Sequence, residues 1–458
     1  MIEKKHIYFL GIGGIGMSAL AQYFKALGHC VAGYDRTRSY ICKMMEMQGI
    51  EIHYEDSTDL IPHEYKNNTG ALIIYTPAIP EDHKELLFFE SHDFEILKRS
   101  DVLGLIVNDK KGLAIAGSHG KTSVSSICAN IMSNSEFGCS AFLGGISKNI
   151  NSNLIINEES IYIVAEADEF DKSFHKLRPS TALITYIESD HLDIYNSFDN
   201  LFNAFIEFAN LIKTNGNLII SNHIPDKFTK SIRPDINIFR YGLNDKTCNF
   251  YIDNVKYKCG NCFFDIIHPK GTIQNISYNI GGGHNLENAL AAASIALVNN
   301  VDNDTVKKGL ETFAGVERRF DIKIKTKDFV YIDDYAHHPT EITAFINAVK
   351  LLFPEKKITG VFQPHLYSRT KDFYKEFAKS LSLCDKIILI PIYPAREEPI
   401  QGITSELILE NITIQEKYLC KKDELIPFLK TITPEVLITM GAGDIDQLVK
   451  PIENAFRK

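Results

Sequence analysis

Short apolar runs, each closed by glycine or a polar cluster and followed by a helical stretch, alternate along almost the whole 458-residue chain. His6–Leu10 is the first run. The glycine-rich turn Gly11–Gly16 and an apolar-periodic helix to about Leu27 follow it, then a second strand, Cys30–Tyr34, ending at Asp35. This spacing predicts a βαβ unit. Further strands are expected near Ala71–Tyr75 and Leu103–Val107. A second segment begins around Ser100. It carries strands at Gly112–Ala116, Ile161–Ala165, Thr181–Ile187 and Asn217–Ile220, with a helix near Asn200–Ile212. Phe239–Ser277 is irregular and strand-like, as an antiparallel insertion would be. A helix is expected from about Asn285 to Val298. The third segment, after Arg318-Arg319-Phe320, predicts strands Val330–Ile332, Ile358–Phe362, Lys386–Ile390 and Val436–Thr439, and helices Glu341–Leu352 and Asp372–Leu381. Such alternation predicts α/β architecture, with parallel sheets covered by helices on both faces.

Composition narrows the function classes. Apolar residues make up 45% and charged residues 23%, as in soluble globular proteins. A net charge of −9 without a basic run argues against general nucleic-acid or membrane-surface binding. No apolar stretch is long enough to predict a membrane span. The first strand begins so early that no signal peptide is expected, which points to the cytoplasm. Nine scattered cysteines read as reduced thiols. The pair Cys259 and Cys262 alone falls short of the four ligands a zinc site needs.

Two glycine loops carry the chemistry. Gly117-Ser118-His119-Gly120-Lys121-Thr122-Ser123 follows a strand and opens a helix, so its backbone N–H groups can cradle phosphates. Lys121 adds charge for the β/γ-phosphates, and the Thr122 hydroxyl suits Mg²⁺. The loop is shorter than the common form by two residues between its glycines. Gly11-x-Gly13-x-x-Gly16 with Asp35 satisfies the dinucleotide fingerprint, and a nicotinamide oxidoreductase is its obvious reading. Two nucleotide loops in one chain also fit an enzyme that binds ATP at one and a nucleotide-linked substrate at the other.

Acidic and imidazole groups cluster past the strand ends. Glu166-Ala-Asp168-Glu169 ends one strand, where a carboxylate near a phosphate loop would hold Mg²⁺. Glu188-Ser-Asp190-His191-Leu-Asp193 ends the next, and a His and a Glu from neighbouring strand ends can share a metal. Asn285 and Asn288 share the first turn of a helix, where they can read adenine or cap the helix. Arg318 and Arg319 suit phosphate. Asp333, His337 and His338 resemble metal ligands, although a polar strand-end loop feeding a helix is the preferred reading.

Together, Gly11-Ile-Gly-Gly-Ile-Gly-Met-Ser18, His119-Gly-Lys-Thr122, Glu166-Ala-Asp-Glu169, Asp190-His-Leu-Asp193, His284-Asn285, Arg318-Arg-Phe320, Asp333-Asp-Tyr-Ala-His-His-Pro339 and Tyr393-Pro-Ala-Arg396 resemble the Mur ligase superfamily. Its members join an amino acid to a UDP-linked muramic acid precursor at the expense of ATP. The resemblance implies three domains: a UDP-substrate-binding Rossmann-like domain (1–100), a central ATP-binding P-loop domain (101–316) and a C-terminal amino-acid-binding Rossmann-like domain (317–458). It favours the alanine-adding branch, with UDP-N-acetylmuramate and L-alanine as substrates. The branch that recycles a whole tripeptide ranks second, because its N-terminal glycine loop differs.

The same resemblance distributes roles. Gly11, Gly13, Gly14, Ile15, Gly16, Met17, Ser18 and Asp35 would hold the UDP part. Gly117 to Ser123, Asn285, Asn288, Arg319 and Asp334 would hold ATP. Thr122, Glu166 and His191 would hold Mg²⁺ or Mn²⁺. Lys121, Glu166, His191 and Arg319 would act in catalysis, and Tyr335, His337, His365 and Arg369 would line the amino-acid pocket. For the chemistry itself, some group or water must take the proton of the attacking amine, with His191 and His338 as candidates. A monomer or homodimer and domain closure are expected. Two departures stand out: many relatives carry Arg where this chain has Leu366, and Asn200–Ile212 holds no lysine for the carbamate found in sister ligases.

Overall fold

The structure is a computed structural model that describes residues 5–67, 70–188, 192–258, 261–280, 282–395 and 397–457, without the side chains of 192 and 193. His191, Asp190, Cys259 and Arg396 therefore lie outside the described residues. The chain is α/β with three sheets and divides into two compact units. The first unit takes in residues 1–253, 265–276 and 288–314; the second takes in 254–264, 277–287 and 315–458.

The first unit begins with a five-stranded parallel sheet. Its strands are β1 (His6–Leu10), β2 (Cys30–Tyr34), β3 (Glu51–His53), β4 (Leu72–Tyr75) and β5 (Glu95–Lys98), in the order β3-β2-β1-β4-β5. Connections leave β1 towards β2 and reach β4 on its other side. The turn after β1 therefore opens at a topological switch point, where parallel sheets bind ligands. The run near Leu103–Val107 is not a strand. It belongs to the helix Arg99–Asn108, and the preceding strand is β5. A short apolar run cannot be told from a buried helix by periodicity alone. Here Ser100, Val102, Gly104 and Val107 turn inward, and Gly104 lies so close to the Lys176 backbone that a Cβ would stand 2.8 Å from its carbonyl.

The central sheet contains β6 (Lys111–Ala116), β7 (Ser140–Ser147), β8 (Ser152–Ile155), β9 (Tyr162–Glu166), β10 (Thr181–Ile184), β11 (Asn217–Ser221) and β12 (Asn237–Gly242) in the order β12-β11-β10-β6-β9-β7-β8. All neighbours are parallel except β7 and β8. The expected insertion thus starts late: Phe239 lies on β12, which pairs in parallel with β11. Beyond β12 come β13 (Phe250–Lys258), β14 (Asn261–His268) and β15 (Gly271–Tyr278). β6 lies between β10 and β9, which makes its C-terminal end a second switch point.

The second unit holds a six-stranded sheet. It consists of β16 (Asp321–Lys325), β17 (Val330–Asp334), β18 (Ile358–Phe362), β19 (Lys386–Leu389), β20 (Lys417–Leu419) and β21 (Val436–Met440), in the order β16-β17-β21-β18-β19-β20. Only the edge strand β16 runs antiparallel. Fully buried Tyr331, Val361, Ile388 and Leu437 build its core.

Candidate active site

β6 delivers the chain into the turn Gly117–Gly120, and the helix Lys121–Ser133 begins directly after it. Gly117 has φ +131° and Gly120 φ +83°, a region that costs any side chain energy. Space excludes a side chain as well. A Cβ on Gly117 would stand 2.1 Å from Thr185 Oγ1, and one on Gly120 2.6 Å from Asn288 Oδ1. The turn is tied to the segment after β10. Ser118 N donates to Tyr186 O (2.9 Å), Glu188 N donates to Ser118 Oγ (2.9 Å), and Thr185 Oγ1 donates to His119 O (2.5 Å). His119 Nε2 lies 3.4 Å from Glu188 Oε2.

Lys121 is held on three sides. Its Nζ donates to both Glu169 carboxylate oxygens (2.8 Å each) and to Gly117 O (2.7 Å). Burial works to lower the lysine pKa, but Glu169, Glu166 and Asp168 outweigh it and keep the ammonium above its ordinary value. Thr122 Oγ1 donates to Glu166, 3.1 Å from Oε2. Glu166 ends β9 in parallel register with β6, so the sheet itself brings this carboxylate to the phosphate loop. The room for it comes from β7. A Cβ at Gly144 would stand 2.0 Å from Glu166 Oε2. A hydroxyl and a carboxylate in contact suit Mg²⁺, which takes its remaining ligands from water and phosphate oxygens. Among the described residues there is no group of three His, Cys, Asp or Glu that could cage a metal without phosphate. Asn288 packs against the loop at Gly120, and its buried Nδ2 has no hydrogen-bond partner among the described residues. Asn285 is the third residue of the helix Gly283–Val298, past the capping position.

The turn after β1 is built by backbone and one carboxylate. Gly11 N and Ile12 N donate to Tyr34 O, and Gly14 N donates to Gly11 O. Asp35 accepts from Gly13 N (2.8 Å) and from Thr37 N (2.9 Å), so both its oxygens shape the loop. Gly14 caps the helix Ile15–Ala26. Met17 and Ser18 carry their side chains inward. Ser18 Oγ donates to Ile15 O (3.0 Å) and accepts from Asn153 Nδ2 (3.1 Å). Asn153, buried on β8 of the central sheet, also donates to Ile15 O at 2.6 Å. Arg99 lies against Gly16, and its guanidinium is 3.6 Å from Asp168.

In the second unit, the sequence pair Arg318-Arg319 divides its work. Arg318 is structural: Nε donates to buried Asp333 (3.1 Å), Nη2 to Gly441 O (2.6 Å), and Thr439 Oγ1 donates to the other Asp333 oxygen (2.6 Å). Arg319 lies over the Tyr335 ring, 5.0 Å from its centroid. Asp334 accepts from Phe320 N (2.6 Å) and Ala336 N (2.7 Å). Burial pushes its carboxyl up to about 6 against the pull of Arg319 and these two N–H groups. Asp333 and His338 are therefore committed within the protein. Asp333 holds Arg318, and His338 caps the helix Pro339–Leu352 with Glu341 completing the box. This is the polar strand-end loop expected from sequence. His337 Nδ1 lies 3.0 Å from Tyr335 O, and burial lowers its pKa. His337 and His365 rings are 6.2 Å apart, and His365 stacks on Tyr393. Arg369 Nη1 is buried without a hydrogen-bond partner among the described residues. Leu366 caps the helix Tyr367–Leu381 at φ +71°, a strained value for leucine.

Glu169, Gly144, Asn153 and Arg99 are the residues that sequence reasoning did not assign. Glu169 carried a signal, as part of the acid cluster past β9. The others act through contacts between elements remote in sequence.

Three family models match successive parts of the chain. "Mur ligase family, catalytic domain" matches residues 6–111, "Mur ligase middle domain" residues 115–296, and "Mur ligase, glutamate ligase domain" residues 318–443. The UDP-N-acetylmuramate–L-alanine ligase of Phocaeicola vulgatus is 45% identical over 99% of this chain and 98% of its own. That of Christiangramia forsetii is also 45% identical, over 99% and 98%. The solved UDP-N-acetylmuramate–alanine ligase of Thermotoga maritima superposes with a TM-score of 0.82 at 25% identity, covering 99% of both chains. A murein peptide ligase from Psychrobacter arcticus reaches 0.72 at 22% identity over 98% of both, which shows the shared fold. The three models together span most of the chain, and with relatives 45% identical over nearly its full length the chain belongs to the Mur ligase family.

Proposed function

We propose that this protein is an ATP-dependent ligase that joins L-alanine to the lactyl carboxylate of UDP-N-acetylmuramate, a step of peptidoglycan precursor synthesis. The observation that carries this reading is 43–45% identity over nearly the full chain to relatives named for that reaction. A carboxylate accepts an amine poorly because its oxygen leaves badly. Transfer of the γ-phosphoryl group of ATP to that oxygen gives an acyl phosphate and ADP. The amine then attacks the carbonyl carbon, and the tetrahedral intermediate collapses to the amide with release of phosphate.

The chain's residues divide the work. Backbone N–H groups of Gly117–Gly120 and the helix N-terminus receive the phosphates, and Lys121 and Arg319 neutralise charge on the group in transfer. Thr122, Glu166 and His191 would hold Mg²⁺, which supplies further charge neutralisation when bound. Asn285, Asn288 and Asp334 serve the nucleoside end of ATP, with Asn288 also placed to reach the phosphate turn. The Gly11–Ser18 turn and Asp35 hold the UDP part. Met17 and Ser18 contribute backbone and packing. Tyr335, His337, His365 and Arg369 receive alanine, whose carboxylate suits the open Arg369 donor. The amine must lose a proton to attack. His191, His338 or water would take that proton, and His338 Nδ1 also accepts from Thr340 N at the helix cap.

Phosphate release measured with ATP and UDP-N-acetylmuramate, across alanine, serine, glycine and the tripeptide, tests the reading. Alanine-dependent release is expected. A preference for the tripeptide would move the protein to the recycling branch. NAD(P)H oxidation without phosphate release would overturn both.

A further inference from the structure

Lys121 has three N–H donors, and all three are used within the protein, two on Glu169 and one on Gly117 O. A phosphate oxygen can take this lysine only by displacing one of those acceptors. Glu169 is the strong competitor, since it offers a full charge at 2.8 Å and is only 1% exposed. It is also firmly placed. Its backbone carbonyl accepts from Tyr195 OH (2.6 Å) and from Lys172 N (3.0 Å), within a turn where Asp171 and Lys172 hold strained positive φ. A buried carboxylate that loses its counter-charge is costly, and nucleotide binding must carry that cost.

We propose that Glu169 is a positioning residue that competes with the nucleotide phosphates for Lys121, so that ATP binding includes a hand-over of the lysine from carboxylate to phosphate. The proposal rests on the reading of the Lys121 loop as the ATP site. Its consequence is a nucleotide affinity held below what the loop alone would give, and a lysine kept aimed along the loop. The amide of Glu169→Gln keeps size and one acceptor but removes the charge.

Calorimetric titration of the full chain with ADP, with and without Mg²⁺, tests it. Glu169→Gln is expected to bind ADP on the order of tenfold more tightly, as loss of one charge-assisted bond predicts. Glu169→Asp, which keeps the charge on a shorter arm, is expected to fall between that variant and the wild type, and it serves if the amide variant unfolds. In a Lys121→Met background the Glu169→Gln effect is expected to vanish. Unchanged or weaker ADP binding in Glu169→Gln would overturn the proposal. So would an equal gain in the Lys121→Met background, which would mean simple repulsion between carboxylate and phosphate. A wild-type protein that binds no ADP would instead refute the ATP-site reading itself.

Discussion

At the scale of single residues, the site depends on a few side chains and on glycines where no side chain fits, Gly117, Gly120 and Gly144. Lys121→Ala is expected to lower ATP turnover by about a thousandfold or more, because phosphoryl transfer is mostly charge stabilisation and positioning. Near-normal phosphate release by the purified variant would contradict this. Gly144→Ala puts a methyl group 2.0 Å from Glu166 Oε2 and must displace that carboxylate. A loss of activity on the order of a hundredfold is expected, as for misplacement by about an ångström, with an unchanged circular dichroism spectrum. Asp334 gives the pH dependence. Its folded pKa of about 6 lies above the ordinary 3.8, so the folded protein takes up this proton first as pH falls. The group therefore adds stability between about 6 and 4 as pH falls, yet in that window it loses the charge that faces Arg319. The KM for ATP is expected to rise as pH drops through about 6, and Asp334→Asn is expected to remove that inflection. A wild-type profile flat from pH 5 to 8 would contradict the assignment. Lys121 and Thr122 stand out in the sequence by residue type at a strand-to-helix turn, and Asp334 is picked out through the family resemblance. Gly144 is not, since its reason is a carboxylate on a neighbouring strand.

At the scale of elements, the glycine turns were legible because positive φ and helix N-termini are local requirements. What locks them was not. Asn153 on β8 reaches the carbonyl of Ile15, the first helical residue and part of the Gly11–Gly16 segment, and hydrogen bonding to Ile15 O polarises the N–H of Gly16 on the same peptide. Asn153→Ala is expected to raise the KM for UDP-N-acetylmuramate about tenfold, the scale of one buried hydrogen bond, with the KM for ATP unchanged. Parallel rises in both constants would point to a general loss of structure. The segment 166–171 makes a second link within the first unit. Glu169 holds Lys121, while Asp168 faces Arg99, which lies on Gly16 of the other loop. The helix Arg99–Asn108 that carries this arginine holds the apolar run Leu103–Val107, which suggests a strand because so short a run fits both periods until its neighbours are known.

At the scale of the whole molecule, alternating strands and helices made the α/β class and its parallel sheets readable, since each run had to be buried on both faces. The β7–β8 hairpin, the antiparallel edge strand β16 and the parallel placement of β12 depend on tertiary pairing and left no such mark. The two glycine loops and the acids past β9 point to one chemistry, activation of a carboxylate by ATP. The most direct test is to supply UDP-N-acetylmuramate labelled with heavy oxygen in its lactyl carboxylate, together with ATP and L-alanine, and to weigh the phosphate released. Transfer of one labelled oxygen into phosphate for each amide formed is the predicted result. Amide formation with unlabelled phosphate would contradict an acyl phosphate and the account built on it.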